Sequence, residues 1–353
     1  SYKSIINKIR AINPNVRILI AQVIPSGKLP KYSYIPELNE KIAEMVAGLN
    51  SGQVFLVNQA QDFNWQDYTV HDKVHPNKAG AEKMATVWFE ALKKVLASSE
   101  TVFSPEIVRY KTLEDGDSLA LHIFKPRNMQ AGEKRPAIVY FFGGGWKLGS
   151  PIQFYRECAY YASKGMVAVS VDYRIEYLHH STPFDSFEDA KDAICWLRSH
   201  ASDYQLDPDK IAVAGGSAGG HLAAALGTIG SDETVPAGYR PNLSVLYYPV
   251  IDMVSRGYGF PEIKRDFEKI SPIHHVSEAT PSTLILLGTK DPIVSVETIR
   301  SYQDKLLQKG VDCELHLFEG AGHPIFLYRK PLTEEYYKVR KLTDDFLKRQ
   351  GFL

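Results

Sequence analysis

Lys210-Ile211-Ala212-Val213-Ala214-Gly215-Gly216-Ser217-Ala218-Gly219-Gly220 is the stretch whose reading decides the fold. A short apolar strand runs into a glycine-walled turn with a serine at its apex. An alanine- and leucine-rich helix follows, from Gly220 to about Leu226. This order is what raising a serine on a tight strand-to-helix corner requires. Side chains at Gly215 and Gly219 would collide with neighbouring backbone in so sharp a turn. A Gly-x-Ser-x-Gly match alone is weak, and the flanking strand and helix supply its specificity.

Outward from this corner, apolar runs predict strands at Ile107–Thr112, Leu119–Phe124, Ala137–Phe142, Val167–Val171, Ser244–Tyr248, Thr283–Leu287 and Glu314–Phe318. Helices are expected at Phe154–Lys164, Phe184–His200, Val296–Lys309 and Leu332–Leu347. The first two strands suit an antiparallel edge. The later ones are short, apolar and separated by helices, which implies a mostly parallel central sheet with right-handed crossovers.

A serine hydroxyl is a feeble nucleophile until a base takes its proton and a third group orients that base. Downstream of Ser217, Asp291 falls just past one strand and His323 in the loop after the next. The carboxyl ends of parallel strands share one crevice, so the three can converge. Asp291 could instead only stabilise the Pro292 turn, and His323 could be a satisfied loop histidine. His316 lies within a strand and reads as structural. His221, at the start of the serine's helix, reads as helix packing.

Acyl transfer also needs N–H donors for a developing oxyanion. Phe142-Gly143-Gly144-Gly145-Trp146 follows a strand at the same sheet edge, and Gly144, Gly145 and the Ala218 amide are the expected donors. Which two of the three glycines point inward stays open at this stage. A phosphate-cradling loop is the rival reading, but the run lacks the Lys-Ser/Thr ending and the dinucleotide spacing. Trp146 either walls the substrate pocket or fills core.

The 353 residues are 44% apolar and 23% charged, ordinary for a folded α/β chain long enough for two domains. Lys and Arg number 41, as do Asp and Glu, so no net positive charge exists to collect nucleic acid or anionic lipid. No apolar run reaches the length of a membrane span. Cys158, Cys195 and Cys313 lie too far apart for a disulfide framework or a cysteine zinc site, and Cys195 is expected in the core. The chain opens at Ser1 with neither methionine nor signal peptide, a start that reads as processed or cut.

Residues 105–353 resemble the α/β-hydrolase esterases, specifically those akin to hormone-sensitive lipase and to feruloyl or acetyl-xylan esterases. The likeness rests on Gly143-Gly144-Gly145-Trp146, Asp172-Tyr173-Arg174, the Ser217 corner, and the placement of Asp291 and His323. It implies a serine carboxylesterase acting through an acyl-enzyme, with Ser217 as nucleophile, His323 as base then acid, and Asp291 as orienter. No metal or organic cofactor is expected. Asp172 and Arg174 are expected to support the oxyanion loop. The family usually carries histidine where this chain has Phe142, so the loop must be braced differently. No helical lid is obvious, and residues 1–97 or the stretch from Asp252 to His275 are candidates to wall the site.

Residues 1–97 carry a smaller α/β pattern: a strand at Val16–Ile24, a helix from Pro36 to Leu49, a strand at Val54–Val57 and a helix from Asn77 to Leu96. Asp72-Lys73-Val74-His75-Pro76-Asn77, with Asp72 and His75 three apart before a helix, resembles the closing block of SGNH hydrolases. The wider pattern is similar to family-3 carbohydrate esterases. The serine-bearing block that such a pair serves does not precede it in a suitable setting, and a base without a nucleophile cannot run acyl transfer. The segment is therefore expected to be a truncated, partial SGNH domain, catalytically inert, joined through a linker at 98–104. Its strand edges need cover, from the larger domain or from a homo-oligomer partner.

The expected substrate is a small-molecule or polysaccharide ester, with short-acyl, aryl, acetyl or feruloyl groups. Neither nucleic acid nor membrane is an expected partner. The carbohydrate-esterase resemblance implies a secreted or periplasmic setting. An amidase or peptidase on the same triad is the nearest alternative, and a catalytically inactive ligand-binding module is another.

Overall fold

The computed structural model divides into two compact units, Ser1–Val102 and Phe103–Leu353. It describes residues 2–12, 17–49, 53–97, 105–114, 116–127, 129–130, 132–230, 237–254, 261–327 and 332–353. The expected linker, 98–104, lies outside them.

In the first unit, helix α1 (Tyr2–Ile12) precedes strand β1 (Ile18–Ala21), helix α2 (Ile35–Gly48), strand β2 (Val54–Val57), the short helix α3 (Trp65–Tyr68) and helix α4 (Lys78–Ala97). β1 and β2 pair in parallel, Ile18 opposite Val54 and Ala21 opposite Val57. Ile6, Ile20, Ile42 and Val54 form a small buried cluster. Pro36 stands in the first turn of α2, where a missing N–H costs nothing. Asn39 ties that helix to the chain leaving β1: its Oδ1 accepts from the Val23 N–H at 2.8 Å and its Nδ2 donates to the Val23 carbonyl at 2.7 Å. The strand expected at Val16–Ile24 runs Ile18–Ala21; the Gln22 N–H still donates to the Val57 carbonyl at 3.0 Å, from Val23 the Asn39 side chain takes over, and Val16 lies outside the described residues.

The second unit holds strands β3 (Glu106–Thr112), β4 (Ser118–Phe124) and β5 (Arg135–Phe141), helix α5 (Tyr155–Ser163), strand β6 (Val167–Val171), and helices α6 (Glu176–His179) and α7 (Pro183–Ser199). Strand β7 (Leu206–Gly216), helix α8 (Ala218–Thr228), strand β8 (Leu243–Tyr247), strand β9 (Thr283–Gly288), helix α9 (Val296–Gln308), strand β10 (Cys313–Phe318) and helix α10 (Glu334–Arg349) follow. The eight strands lie in the order β10-β9-β8-β7-β5-β6-β4-β3. β3 and β4 form the antiparallel edge, and from β6 to β10 every pairing is parallel.

Sequence explains this arrangement locally. β6 is buried at all five positions, as expected of a strand covered on both faces. α7 begins with Thr182 in a capping box with Asp185 and with Pro183 in its first turn. It turns Phe187, Ala190, Ile194 and Leu197 to the core. Cys195, one step off that stripe, is exposed, which corrects the expectation that it is a core residue. α8 is buried along its whole length, so the corner before it is held from every side.

Candidate active site

Ser217 caps α8 with φ +56° and ψ −118°, a conformation that non-glycine residues rarely hold. The close approach around it explains the glycines. A methyl group on Gly219 would lie 2.0 Å from the Phe141 carbonyl oxygen, and one on Gly215 would lie 2.3 Å from the Gly219 oxygen. The backbone of the corner is secured by the Ser217 N–H, which donates to the Tyr247 carbonyl at 3.1 Å.

β7, β9 and β10 run parallel, so the chain leaving each one emerges on the same edge. There the Ser217 hydroxyl meets His323 Nε2 at 2.8 Å, and His323 Nδ1 meets Asp291 Oδ2 at 2.6 Å. The carboxylate keeps the imidazole proton on Nδ1, which leaves Nε2 to accept from the serine. The Asp291 side chain is fully buried. Its other oxygen accepts the N–H groups of Ile293 and Val294 at 2.8 and 2.9 Å. Asp291 therefore stabilises the Pro292 turn and binds the imidazole at once.

The loop after β5 lies beside this chain of groups. Gly143 donates its N–H to Gln153 Oε1 at 2.6 Å. Among the described residues no hydrogen bond occupies the N–H of Gly144, Gly145 or Ala218. Gly144 has φ +148°, and a methyl there would sit 1.8 Å from the Leu148 oxygen, so only glycine fits. The brace for Phe142 is Tyr173: the two rings stack with centroids 4.0 Å apart, and the Tyr173 hydroxyl donates to the Phe142 carbonyl at 2.6 Å.

Two expectations change here. Arg174 clamps Asp189 of α7, with Nε to Oδ2 at 2.8 Å and Nη2 to Oδ1 at 2.9 Å. The Asp172 peptide bonds to Ala120 and Tyr110. It is Tyr173, between them, that reaches the loop after β5. Trp146 does not line a cleft: it is 1% exposed and meets His221 edge-on, with ring centroids 5.1 Å apart. Its indole is part of the buried core, with the backbone at φ +60°.

His221 is itself fully buried and donates Nε2–H to the Ile270 carbonyl at 2.7 Å, so it joins α8 to the 3₁₀ stretch Pro261–Ile270. His316 stays in β10, 3.3 Å from Glu314. In the first unit, His75 Nδ1 meets Asp72 Oδ2 at 2.5 Å, with 77% of the His75 side chain exposed. The bond from His75 holds the Asp72 carboxyl well below the ordinary carboxylate range. Among the described residues, no group of three or more His, Cys, Asp or Glu side chains is arranged to hold a metal ion.

A hydroxyl, an imidazole and a buried carboxylate in line at the carboxyl edge of a parallel sheet form the arrangement used by serine-dependent acyl hydrolases. The chain belongs to the α/β-hydrolase esterases. An esterase of Thermogutta terrifontis, Est2, solved with propionate bound, is 38% identical; the match covers 70% of this chain and 95% of that one, with a TM-score of 0.65. The BD-FAE family model matches residues 121–259. Esterase LipC of Mycobacterium tuberculosis is 30% identical over 241 residues, 59% of this chain and 57% of LipC. An acetylxylan esterase of Xylanibacter ruminicola is 26% identical over 227 residues, 60% of this chain and 44% of that protein. The chain spans about half the length of the first curated relatives it matches.

Proposed function

We propose that this chain hydrolyses short-acyl or aryl carboxylic esters through an acyl-enzyme on Ser217, with acetyl or feruloyl esters of plant polysaccharide as the natural class. The observation that carries this reading is the unbroken chain from Ser217 Oγ to His323 to Asp291, at 2.8 and 2.6 Å. Ser217 Oγ attacks the ester carbonyl as His323 Nε2 takes its proton. The oxyanion receives the N–H groups of Gly144, Gly145 and Ala218. His323 returns the proton to the departing alcohol. A water then attacks the acyl group, gives its proton to His323, and the acid leaves as Ser217 recovers its hydrogen.

Support for an apolar acyl or aryl portion comes from the rim of the loop. Leu148, Ile152, Tyr177 and Leu178 are each more than 60% exposed. The N–H groups of Glu176 and Tyr177 donate to the carbonyls of Trp146 and Lys147, which stands α6 against the oxyanion loop. A panel of p-nitrophenyl acetate, acetylated xylan, methyl ferulate and matched amides tests the reading. Ester turnover that drops at least about 10³-fold in Ser217→Ala is expected. Strong amide turnover with negligible ester turnover would overturn it in favour of an amidase or peptidase.

We also infer that residues 1–97 are an SGNH-like segment carrying only the Asp72–His75 block of such a site, with no part in turnover at Ser217. The hydrogen-bonded pair in the loop before α4, and the parallel β1–β2 pair, support this reading.

A further inference from the structure

Tyr248 follows β8 at φ +39°, in the left-handed region that a ring-bearing residue avoids. Neighbouring strand ends impose this conformation. The Tyr248 N–H donates to the Leu286 carbonyl of β9 at 2.7 Å, and the carbonyl of the preceding residue, Tyr247, accepts the Ser217 N–H at 3.1 Å. The result is a ring, 4% exposed, aimed into the crevice. Its centroid lies 4.8 Å from that of the His323 imidazole, with the planes 64° apart. On its other side it presses on the residue before the nucleophile, since a methyl on Gly216 would lie 2.6 Å from Tyr248 Oη and 2.8 Å from Cζ.

We propose that Tyr248 is a positioning residue: its ring is the wall that keeps the His323 imidazole aligned while Ser217 is acylated. This inference rests on the triad reading above. In the resting site two in-line partners hold the imidazole, the Ser217 hydroxyl and the Asp291 carboxylate. Once Ser217 carries the acyl group it has no hydrogen to donate, and one of those partners is gone. His323 must then hold Nε2 toward a water, take the water's proton as its oxygen bonds the acyl carbon, and pass that proton to the departing Ser217 oxygen. The Asp291 bond alone leaves the ring able to swing about the Nδ1–H···O direction. A packed aromatic wall does not depend on the serine hydroxyl and persists through this step. Loss of the ring should therefore slow deacylation more than acylation.

The test is steady-state kinetics on p-nitrophenyl acetate with the full chain carrying Tyr248→Leu and Tyr248→Phe, beside Ser217→Ala. Because kcat contains deacylation and kcat/KM reports only acylation, Tyr248→Leu should lower kcat about 10- to 100-fold and lower KM with it, leaving kcat/KM within about 5-fold. Tyr248→Phe should stay within about 3-fold of wild type on both. A kcat for Tyr248→Leu within about 3-fold of wild type overturns the inference, and so does a kcat/KM that falls as far as kcat. Equal losses in the Phe and Leu variants also overturn it, since the hydroxyl rather than the ring would then be at work. If Tyr248→Leu fails to fold, Tyr248→Met, of similar volume but longer and more adaptable, supplies a side chain without a flat ring and is read the same way. Activity surviving in Ser217→Ala would remove the triad reading itself. Activity lost there but normal in Tyr248→Leu removes this inference alone.

Discussion

Tyr173→Phe takes away the one hydroxyl that donates to the buried Phe142 carbonyl while leaving the stacked rings in place. An orphaned buried acceptor costs about 1–3 kcal/mol, which the denaturant midpoint should register, and a loosened loop should depress kcat more than KM. Titration separates two other groups, the buried His221 and the half-buried Asp172. Burial pulls the His221 pKa from 6.5 to about 4. Below pH 6.5 the unfolded chain binds a proton that the folded chain refuses, so the His221 contribution declines with falling pH and is lost below about 4. Asp172 runs the other way. Burial lifts its carboxyl from 3.8 to about 6, opposed by nearby His179 and reinforced by Asp189. Its contribution is complete below pH 3.8 and is lost as pH rises through 6. Each swing is on the order of 3 kcal/mol before solvent screening, so the two offset across the acid range. Asp172→Asn should raise the melting temperature at pH 7, with the gain shrinking to nothing near pH 4. A gain that stays constant with pH would contradict this linkage.

At the level of elements, the corner between β7 and α8 leaves no room for a side chain at Gly215 or Gly219. Gly219→Ala would drive a methyl against the Phe141 carbonyl, backbone meeting backbone, and should cost at least about 3 kcal/mol or abolish soluble yield. Gly322→Ala, beside His323, meets no heavy atom within 4 Å and should change the melting temperature little. The central strands are legible from sequence because burial on both faces makes them continuous apolar runs, and the triad is legible because each member follows such a run. Other parts are not. β7 starts at Leu206, five residues ahead of the apolar run Ile211–Ala214 that predicts a strand here; Arg135 pairs with Leu206 ahead of a register shift. The short helices α3 and α6 offer too few residues for a period to emerge. Gln153 and Tyr173 brace the loop through contacts 10 and 31 residues apart, and nothing local in either residue announces such a partner.

At the scale of the whole molecule, His75 and His323 each hold an aspartate through Nδ1, and of these two rings His323 has a serine hydroxyl in line on Nε2. His75→Ala should leave ester turnover within about 2-fold of wild type, whereas His323→Ala should lose it by at least about 10³-fold. A matching loss in both variants would end the reading of residues 1–97 as a bystander. The contrast between the two rings also has a spectroscopic consequence. The His323 side chain is 13% exposed and the His75 side chain 77%, each with Nδ1 on a carboxylate. A proton held between nitrogen and oxygen is deshielded, but it is seen only if it outlasts exchange with water. Of these two rings, His323 should therefore give a sharp low-field resonance, while the His75 signal is broadened away. That line would report on the Ser217–His323–Asp291 site in the intact chain, without a substrate and without a label.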